Sequence, residues 1–127
     1  MRILVLCAVQ EEAQHLIALL SEHDTVNTDA DSEISTLSKQ WPTRQFKLNS
    51  LRISVVVCGI GMANAAAATS PFLIHGSFDL ACNYGCSGAH QENINAGDIV
   101  VGTHVAPINA CKIRPDGKIY PQGFRRT

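Results

Sequence analysis

The sequence predicts an α/β fold: a three-layer αβα sandwich in which helices cover both faces of a mixed, mostly parallel sheet. Three observations lead to this prediction. Residues 2–9 predict a strand in which residues 3–9 are continuously apolar, which is typical of a central parallel strand. Residues 51–58 predict a second strand, which contains a run of three valines. A glycine turn and an alanine-rich helical segment follow it. Read along the chain, the elements take the order β-α-β-β-α-β-β.

The first half of the chain contains a helix, a loop and a hairpin. Residues 10–23 predict an amphipathic helix, whose apolar stripe consists of Ala13, Leu16, Ile17 and Leu20. Residues 24–43 are polar and rich in turn formers, so we expect a long surface loop. Residues 45–49 and 51–58, separated by Asn49-Ser50, predict a β-hairpin.

The second half is expected to alternate between helix and strand. A helix from Met62 to about Ile74 should kink at Pro71 and close at His75-Gly76. Strands are expected at residues 78–83 and 98–105, the latter after a turn at residues 95–97, and residues 114–118 predict a turn between two short extended pieces. We expect one partial domain over residues 1–127, interrupted only by the loop at about 24–43.

Composition narrows the classes of partner. The 127 residues are 46% hydrophobic and 17% charged, with a net charge of −1, which fits a well-packed domain rather than a disordered chain. The longest basic run is Arg125-Arg126, which argues against nucleic acid or an anionic membrane as a partner. The apolar start is too short to span a membrane and lacks the features of a signal peptide, so a cytoplasmic location is expected.

Cysteines and histidines do not predict a metal or another cofactor. Five cysteines are an odd number, and four of them lie in or beside apolar runs, so buried free thiols are expected. Cys82 and Cys86 are too widely spaced for a usual zinc pair, and no matching second pair follows.

The strand-turn-helix at residues 55–69 is the strongest candidate for a binding site. Gly59 and Gly61 carry no Cβ, so a ligand can approach the backbone, and the following helix N-terminus attracts anions and polar oxygens. Ligands of such sheets lie outside the carboxyl ends of the strands. Residues 8–12, 59–62 and 83–88 all fall there and are expected to line one pocket. A dinucleotide site is disfavoured because Asn64 replaces the third glycine of that motif.

Three segments, in order, resemble 5′-methylthioadenosine/S-adenosylhomocysteine nucleosidases of the nucleoside phosphorylase/nucleosidase superfamily. Residues 3–12 (ILVLCAVQEE) are similar to their first strand and acidic turn, and residues 59–66 (GIGMANAA) to their glycine turn and second helix. Residues 79–88 (DLACNYGCSG) with 97–101 (GDIVV) resemble their central strand, glycine loop and next strand. The resemblance implies cleavage of the N-glycosidic bond of a purine-type nucleoside, with a small-molecule nucleoside as the partner. Family members commonly form homo-oligomers, so the resemblance leaves a homo-oligomer open.

The resemblance also implies roles for individual residues. Glu12 falls where nucleosidases place the carboxylate that polarises the attacking water, and a carboxylate suits that task. Without the resemblance, the favoured interpretation of Glu12 is an ordinary helix-start acid stabilised by the helix dipole, and the resemblance reverses that preference. The other residues that the resemblance places around the substrate are Ala8, Gly59, Ile60, Gly61, Asn83, Gly85, Cys86 and Ser87.

Water is favoured over phosphate as the nucleophile. Phosphorylases of this superfamily hold phosphate with arginines in the first loop and beside the Gly-Ser loop. Here the first loop carries Glu11 and Glu12, and Asn83 stands at the second arginine position. Cys86 stands where the family commonly has a serine, and a thiol is the weaker hydrogen-bonding group, so Ser87 or backbone N–H groups would have to substitute.

The resemblance covers the N-terminal part of the family. The later part of those enzymes supplies the ribose-binding Met-Glu motif, most base contacts and the aspartate that protonates the base. We therefore expect this chain to be the N-terminal part of such an enzyme, holding at most half an active site. Two alternatives stay open: a phosphate-dependent phosphorylase, and a non-catalytic homologue that binds nucleosides or serves in storage or interaction.

Overall fold

The computed structural model describes residues 1–24, 32–89, 92–105, 111–113, 115–117 and 119–121. It divides into two compact units, Met1–Gly88 and Ala89–Thr127. The elements of the first unit are β1 (Arg2–Cys7), α1 (Gln10–His23), α2 (Ser32–Leu37), β2 (Thr43–Leu48), β3 (Leu51–Val57), α3 (Met62–Gly76) and β4 (Leu80–Asn83). In the second unit β5 (Cys111–Ile113) and β6 (Ile119–Pro121) form an antiparallel pair.

The first unit contains a four-stranded sheet in the order β2-β3-β1-β4. β1 runs parallel to both β3 and β4, while β2 is antiparallel to β3. Cys7 at the end of β1 pairs with Val57, and Leu6 pairs with Asn83, so three parallel strands end at the same edge. The predicted mixed, mostly parallel sheet is confirmed.

Helices cover both faces of this sheet and create two cores. On one face, α1 and the sheet enclose a cluster of buried side chains: Val5, Cys7, Ala13, Leu20, Phe46 and Val55. On the other face, α2 and α3 complete a second cluster: Leu4, Leu6, Ile34, Val56, Cys58, Ala68 and Phe72. Alternate residues of β1 therefore face opposite cores, which explains why its sequence is apolar without interruption. The three-layer arrangement is the predicted one.

The predicted helix and hairpin of the first half are both present. α1 has the predicted bounds, Gln10–His23, and buries Ala13 and Leu20 of its predicted stripe. β2 and β3 form the hairpin, and Asn49 at its turn adopts a φ of 52°, a left-handed conformation that asparagine tolerates well.

The stretch predicted as a surface loop contains a helix and a core residue. Ser32–Leu37 is helical, and Ile34 is only 2% exposed within the α2/α3 cluster, against which Leu37 and Trp41 also pack. The apolar spacing of Ile34 and Leu37 fits one helical turn, and the packing partner that makes this turn stable comes from a distant part of the chain. Residues 25–31 lie outside the described residues.

α3 differs from the prediction at Pro71 and at its end. The helix continues through Pro71 without a break, and Ala68 and Phe72 on either side of it are both fully buried. The helix also extends to Gly76, and the left-handed residue after it is Ser77, with a φ of 48°. Gly76 is required for a different reason, since a Cβ there would overlap the ring of Phe78.

The later strands agree with the sequence only in part. β4 is shorter than predicted, and all four of its residues are exposed. The strand predicted at residues 98–105 is wrong: the described residues 92–105 contain no strand, and Ile99 is 93% exposed. A strand needs a ladder partner, and an apolar run does not supply one.

Both turns predicted in the second unit are present. In the first, the Asp98 N–H donates to Asn95 O at 3.1 Å, with Gly97 at a φ of 98°. In the second, residues 115–117 connect β5 and β6, with Gly117 at a φ of 77°, while Arg114 and Lys118 lie outside the described residues. Within the described chain, none of the helices is long and apolar enough to cross a lipid bilayer.

Candidate functional site

Two of the three predicted site loops lie side by side because their strands are neighbours. Residues 8–12 follow β1, and residues 83–88 begin at the end of β4. The Tyr84 N–H donates to Leu6 O at 2.8 Å, which extends the ladder one residue beyond β4. The loops therefore leave the sheet together at its carboxyl edge, where this class of sheet binds its ligands.

Glu12 is fixed first by its own helix. It is the third residue of α1, which begins after Val9 without a capping side chain. Its Oε2 accepts the Ala8 N–H at 3.0 Å, so the side chain folds back over the start of the helix. This return contact resembles one half of a capping box, in which an acid in the first turn satisfies N–H groups preceding the helix.

Glu12 is fixed a second time by the other loop. Its Oε1 accepts the Cys86 N–H at 3.0 Å, although the two residues are 74 positions apart in the chain. A helix-start acid with only a local role needs no such partner. The carboxylate thus connects the loops after β1 and β4, and the structure places Ala8, Glu12 and Cys86 of the predicted site together.

These backbone donors keep the carboxylate ionised. The Cys86 N–H is the largest influence and lowers the pKa of Glu12; partial burial opposes it, and the N–H groups of Ala8 and Val9 lower the pKa further. The site therefore presents a negative charge at neutral pH. A carboxylate oxygen has two lone pairs, so each oxygen can still accept a hydrogen bond from a water molecule.

The lowered pKa predicts how acid affects stability. A carboxyl group with a lower pKa in the folded than in the unfolded state stabilises the fold above its unfolded pKa, and this contribution is lost as pH falls through the folded pKa. The free energy of unfolding of wild type minus that of Glu12→Gln should thus shrink from pH 7 towards pH 3. Urea titrations followed by the fluorescence of Trp41, the one tryptophan, measure this difference. The matched control is Glu11→Gln, and a Glu12 difference independent of pH would contradict the assignment.

The glycine turn at residues 59–61 follows β3, which pairs with β1 on the side opposite β4, so the turn leaves the sheet at the same edge. Gly59 and Gly61 adopt φ values of 91° and 98°, which favour glycine, so the turn is as predicted. The Asn64 side chain donates to Ile60 O at 2.8 Å and packs over Gly59. A Cβ on Gly61 would meet no atom within 4 Å, so the backbone there is open to an approaching molecule. The described contacts of Glu12 run to the other two loops.

Four thiols whose surroundings the structure describes fall into two kinds, and only one kind is buried as expected. Cys7 and Cys58 are buried, whereas Cys82 and Cys86 are exposed at the carboxyl end of β4. Burial, followed by the charge of Glu12, raises the pKa of Cys7 to about 11, so its thiol stays protonated. The exposed pair follows from the position of β4 at the edge of the sheet. Asn83, Gly85 and Ser87 are exposed in the same stretch.

The sequence analysis did not predict the contact between the Cys86 main chain and Glu12. It singled out Cys86 for its side chain, whereas the atom that contacts Glu12 is its main-chain nitrogen. A cavity of about 320 Å³ lies elsewhere, between α1 and the hairpin, and contains none of the predicted site residues. It is lined by Gln10, Ile17, Ser38, Pro42, Thr43, Arg44, Val55 and Val57.

Fold and site together define an α/β protein with an ionised carboxylate, held by two loops, at the carboxyl edge of its sheet. A glycine turn at the same edge precedes a helix. Comparison with known families agrees with this class. The chain belongs to the phosphorylase superfamily, whose family profile matches residues 2–125.

Individual relatives are nucleosidases. The chain is 32% identical over 110 residues to the 5′-methylthioadenosine/S-adenosylhomocysteine nucleosidase of Maridesulfovibrio salexigens, covering 87% of this chain and 43% of that protein. It is 37% identical over 59 residues to the enzyme of the same name from Haemophilus ducreyi, covering 46% of this chain and 25% of that protein. The chain thus spans less than half the length of these curated relatives.

A solved structure supports the fold. The 5′-methylthioadenosine/S-adenosylhomocysteine nucleosidase of Neisseria meningitidis, in complex with methylthio-immucillin-A, superposes with a TM-score of 0.55 at 24% identity. The match covers 76% of this chain and 38% of that one. The α/β architecture expected from the sequence is therefore confirmed.

Proposed function

We propose that the protein to which these residues belong hydrolyses the N-glycosidic bond of a purine nucleoside, and that Glu12 activates the water. The observation that carries the proposal is the carboxylate held between the Ala8 and Cys86 N–H groups. Both contacts fix its position, and its lowered pKa keeps it charged at neutral pH. The names of the relatives suggest 5′-methylthioadenosine or S-adenosylhomocysteine as the substrate.

The chemistry of this step suits a carboxylate that is ionised and held in a fixed position. As the bond between the ribosyl C1′ and the base nitrogen breaks, its electron pair leaves with the base and C1′ becomes positively charged. The Glu12 carboxylate stabilises that charge and accepts a hydrogen bond from water. The water oxygen then bonds to C1′ and one of its protons passes to Glu12. The leaving base takes up a proton from solvent, and Glu12 returns its proton to solvent, which restores the carboxylate. The sum is nucleoside plus water giving free sugar plus base.

Hydrolysis is favoured over phosphorolysis by the charge at this edge. Residues 8–12 carry Glu11 and Glu12, and neither these residues nor residues 83–88 contain an arginine or lysine. Two carboxylates without a cation repel phosphate, whose usual protein partner is a bidentate arginine. The described loops therefore favour a neutral nucleophile.

The proposal is tested by following the products made from 5′-methylthioadenosine by the native protein purified from its own cells. We expect adenine and free 5-methylthioribose at a rate independent of phosphate. Formation of a sugar 1-phosphate only when phosphate is present would instead identify a phosphorylase. Saturable binding of the nucleoside without either product would identify the non-catalytic homologue, for which the exposed thiol of Cys86 in place of a serine is the specific indication.

A further inference from the structure

Gly85 lies directly against the Glu12 carboxylate. A Cβ placed on Gly85 would lie 2.6 Å from Oε1 and 2.9 Å from Cδ of Glu12. Real Cβ atoms do not approach other atoms this closely, so a side chain at position 85 and the observed carboxylate position are incompatible. The atoms that would have to move are the end of a side chain, which can adopt another rotamer but would then give up its hydrogen bond to the Cys86 N–H.

The backbone at this position does not itself require glycine. The glycines with positive φ in the described chain are Gly59, Gly61, Gly97 and Gly117, and Gly85 is not among them. An alanine could therefore adopt the same backbone conformation without strain. What a side chain would disturb is the carboxylate of Glu12.

We propose that Gly85 is a positioning residue, whose missing side chain lets the Glu12 carboxylate reach across from α1 and accept the Cys86 N–H. The next residue supplies that N–H, at 3.0 Å from Oε1. Gly85 thus provides the space and Cys86 the donor, and the two act together on one oxygen. This inference deepens the proposed function and rests on it only for the catalytic consequence.

The test is a carbon-13 titration of the glutamate side-chain carboxyls in the whole chain, wild type and Gly85→Ala. Glu12→Gln identifies the Glu12 resonance by its loss. We expect Gly85→Ala to raise the pKa of Glu12 towards its ordinary value, since the displaced carboxylate loses its largest stabilising donor. The matched control is Gly88→Ala, in the same loop and without positive φ, where a Cβ meets no atom within 4 Å. An unchanged Glu12 pKa in Gly85→Ala would overturn the proposal.

A double-mutant cycle covers the case in which Gly85→Ala weakens the fold. In a Glu12→Ala background there is no carboxylate to displace, so Gly85→Ala should then cost no more stability than Gly88→Ala. An equal cost of Gly85→Ala with and without the carboxylate would show that the glycine serves only packing, and would overturn the positioning role.

Turnover separates this inference from the proposed function. If both hold, Gly85→Ala lowers kcat for 5′-methylthioadenosine more than it changes KM. A raised Glu12 pKa in a protein whose wild type releases no base would leave Gly85 as a positioning residue and refute the nucleosidase assignment instead.

Discussion

Glu12→Gln is expected to lower the rate of base release by about 10²- to 10⁴-fold, the usual contribution of a positioned acid–base group. The amide keeps the size of the carboxylate but carries no charge and cannot take a proton from water. The amide nitrogen carries hydrogen atoms and accepts no hydrogen bond. The amide therefore cannot accept the N–H groups of both Ala8 and Cys86, as the two carboxylate oxygens do. The measurement is kcat for 5′-methylthioadenosine with the native protein.

Glu11→Gln is the matched control for this experiment. Glu11 is the neighbouring glutamate in the first turn of α1, so its substitution by glutamine changes the net charge by the same amount. Its side chain is exposed. We expect Glu11→Gln to retain activity within a few-fold. If both variants lose activity equally, or neither does, Glu12 has no specific role in activating water.

Phe72→Ala is expected to cause the largest loss of stability, about 3–5 kcal/mol, as is usual for a phenylalanine removed from a core. Phe72 is fully buried in the α2/α3 cluster, and its ring meets Trp41 edge to face at a centroid distance of 6.2 Å. The cavity left behind would also remove the support of α2. Since domains are stable by only about 5–15 kcal/mol, this is a large share.

The neighbouring Leu73→Ala is the control for Phe72→Ala. Leu73 lies on the same helix but is 46% exposed, and leucine and alanine have similar helix propensities. We expect a change within about 1 kcal/mol, as for surface substitutions in general. Urea unfolding followed by far-UV circular dichroism measures both, because the tryptophan reporter itself contacts Phe72. Equal losses for the two variants would contradict the packing described for α3.

Local patterns in the sequence predicted the elements whose stability is decided locally. The bounds of α1, the hairpin at Asn49 and the glycine turn at residues 59–61 all follow from periodicity or from special backbone requirements. α2 was missed because Ile34 becomes a core residue only through contact with α3, far along the chain. Residues 98–105 were overpredicted because an apolar run says nothing about the strand that must pair with it.

The candidate site divides in the same way. Glu12 follows the first strand and residues 83–88 follow β4. These two strands are parallel neighbours, so the order of the strands predicts that the two segments lie close together. The donor role of the Cys86 main chain does not follow from this order, because every residue has an N–H group and only the fold decides which one meets a carboxylate. The close approach of Gly85 to Glu12 is likewise a property of two loops placed together.

The central position of β1 also orders events during synthesis. β1 is the first strand made, yet both of its neighbours come later: β3 begins at Leu51 and β4 at Leu80. The Cys86 N–H follows Glu12 by 74 residues. At about 5–20 residues per second, the ribosome needs roughly 4–15 s to add them. β3 is available within that interval, but the other side of β1 stays unpaired until β4 has been made, so the carboxylate acquires its second anchor only after the sheet is completed on that side.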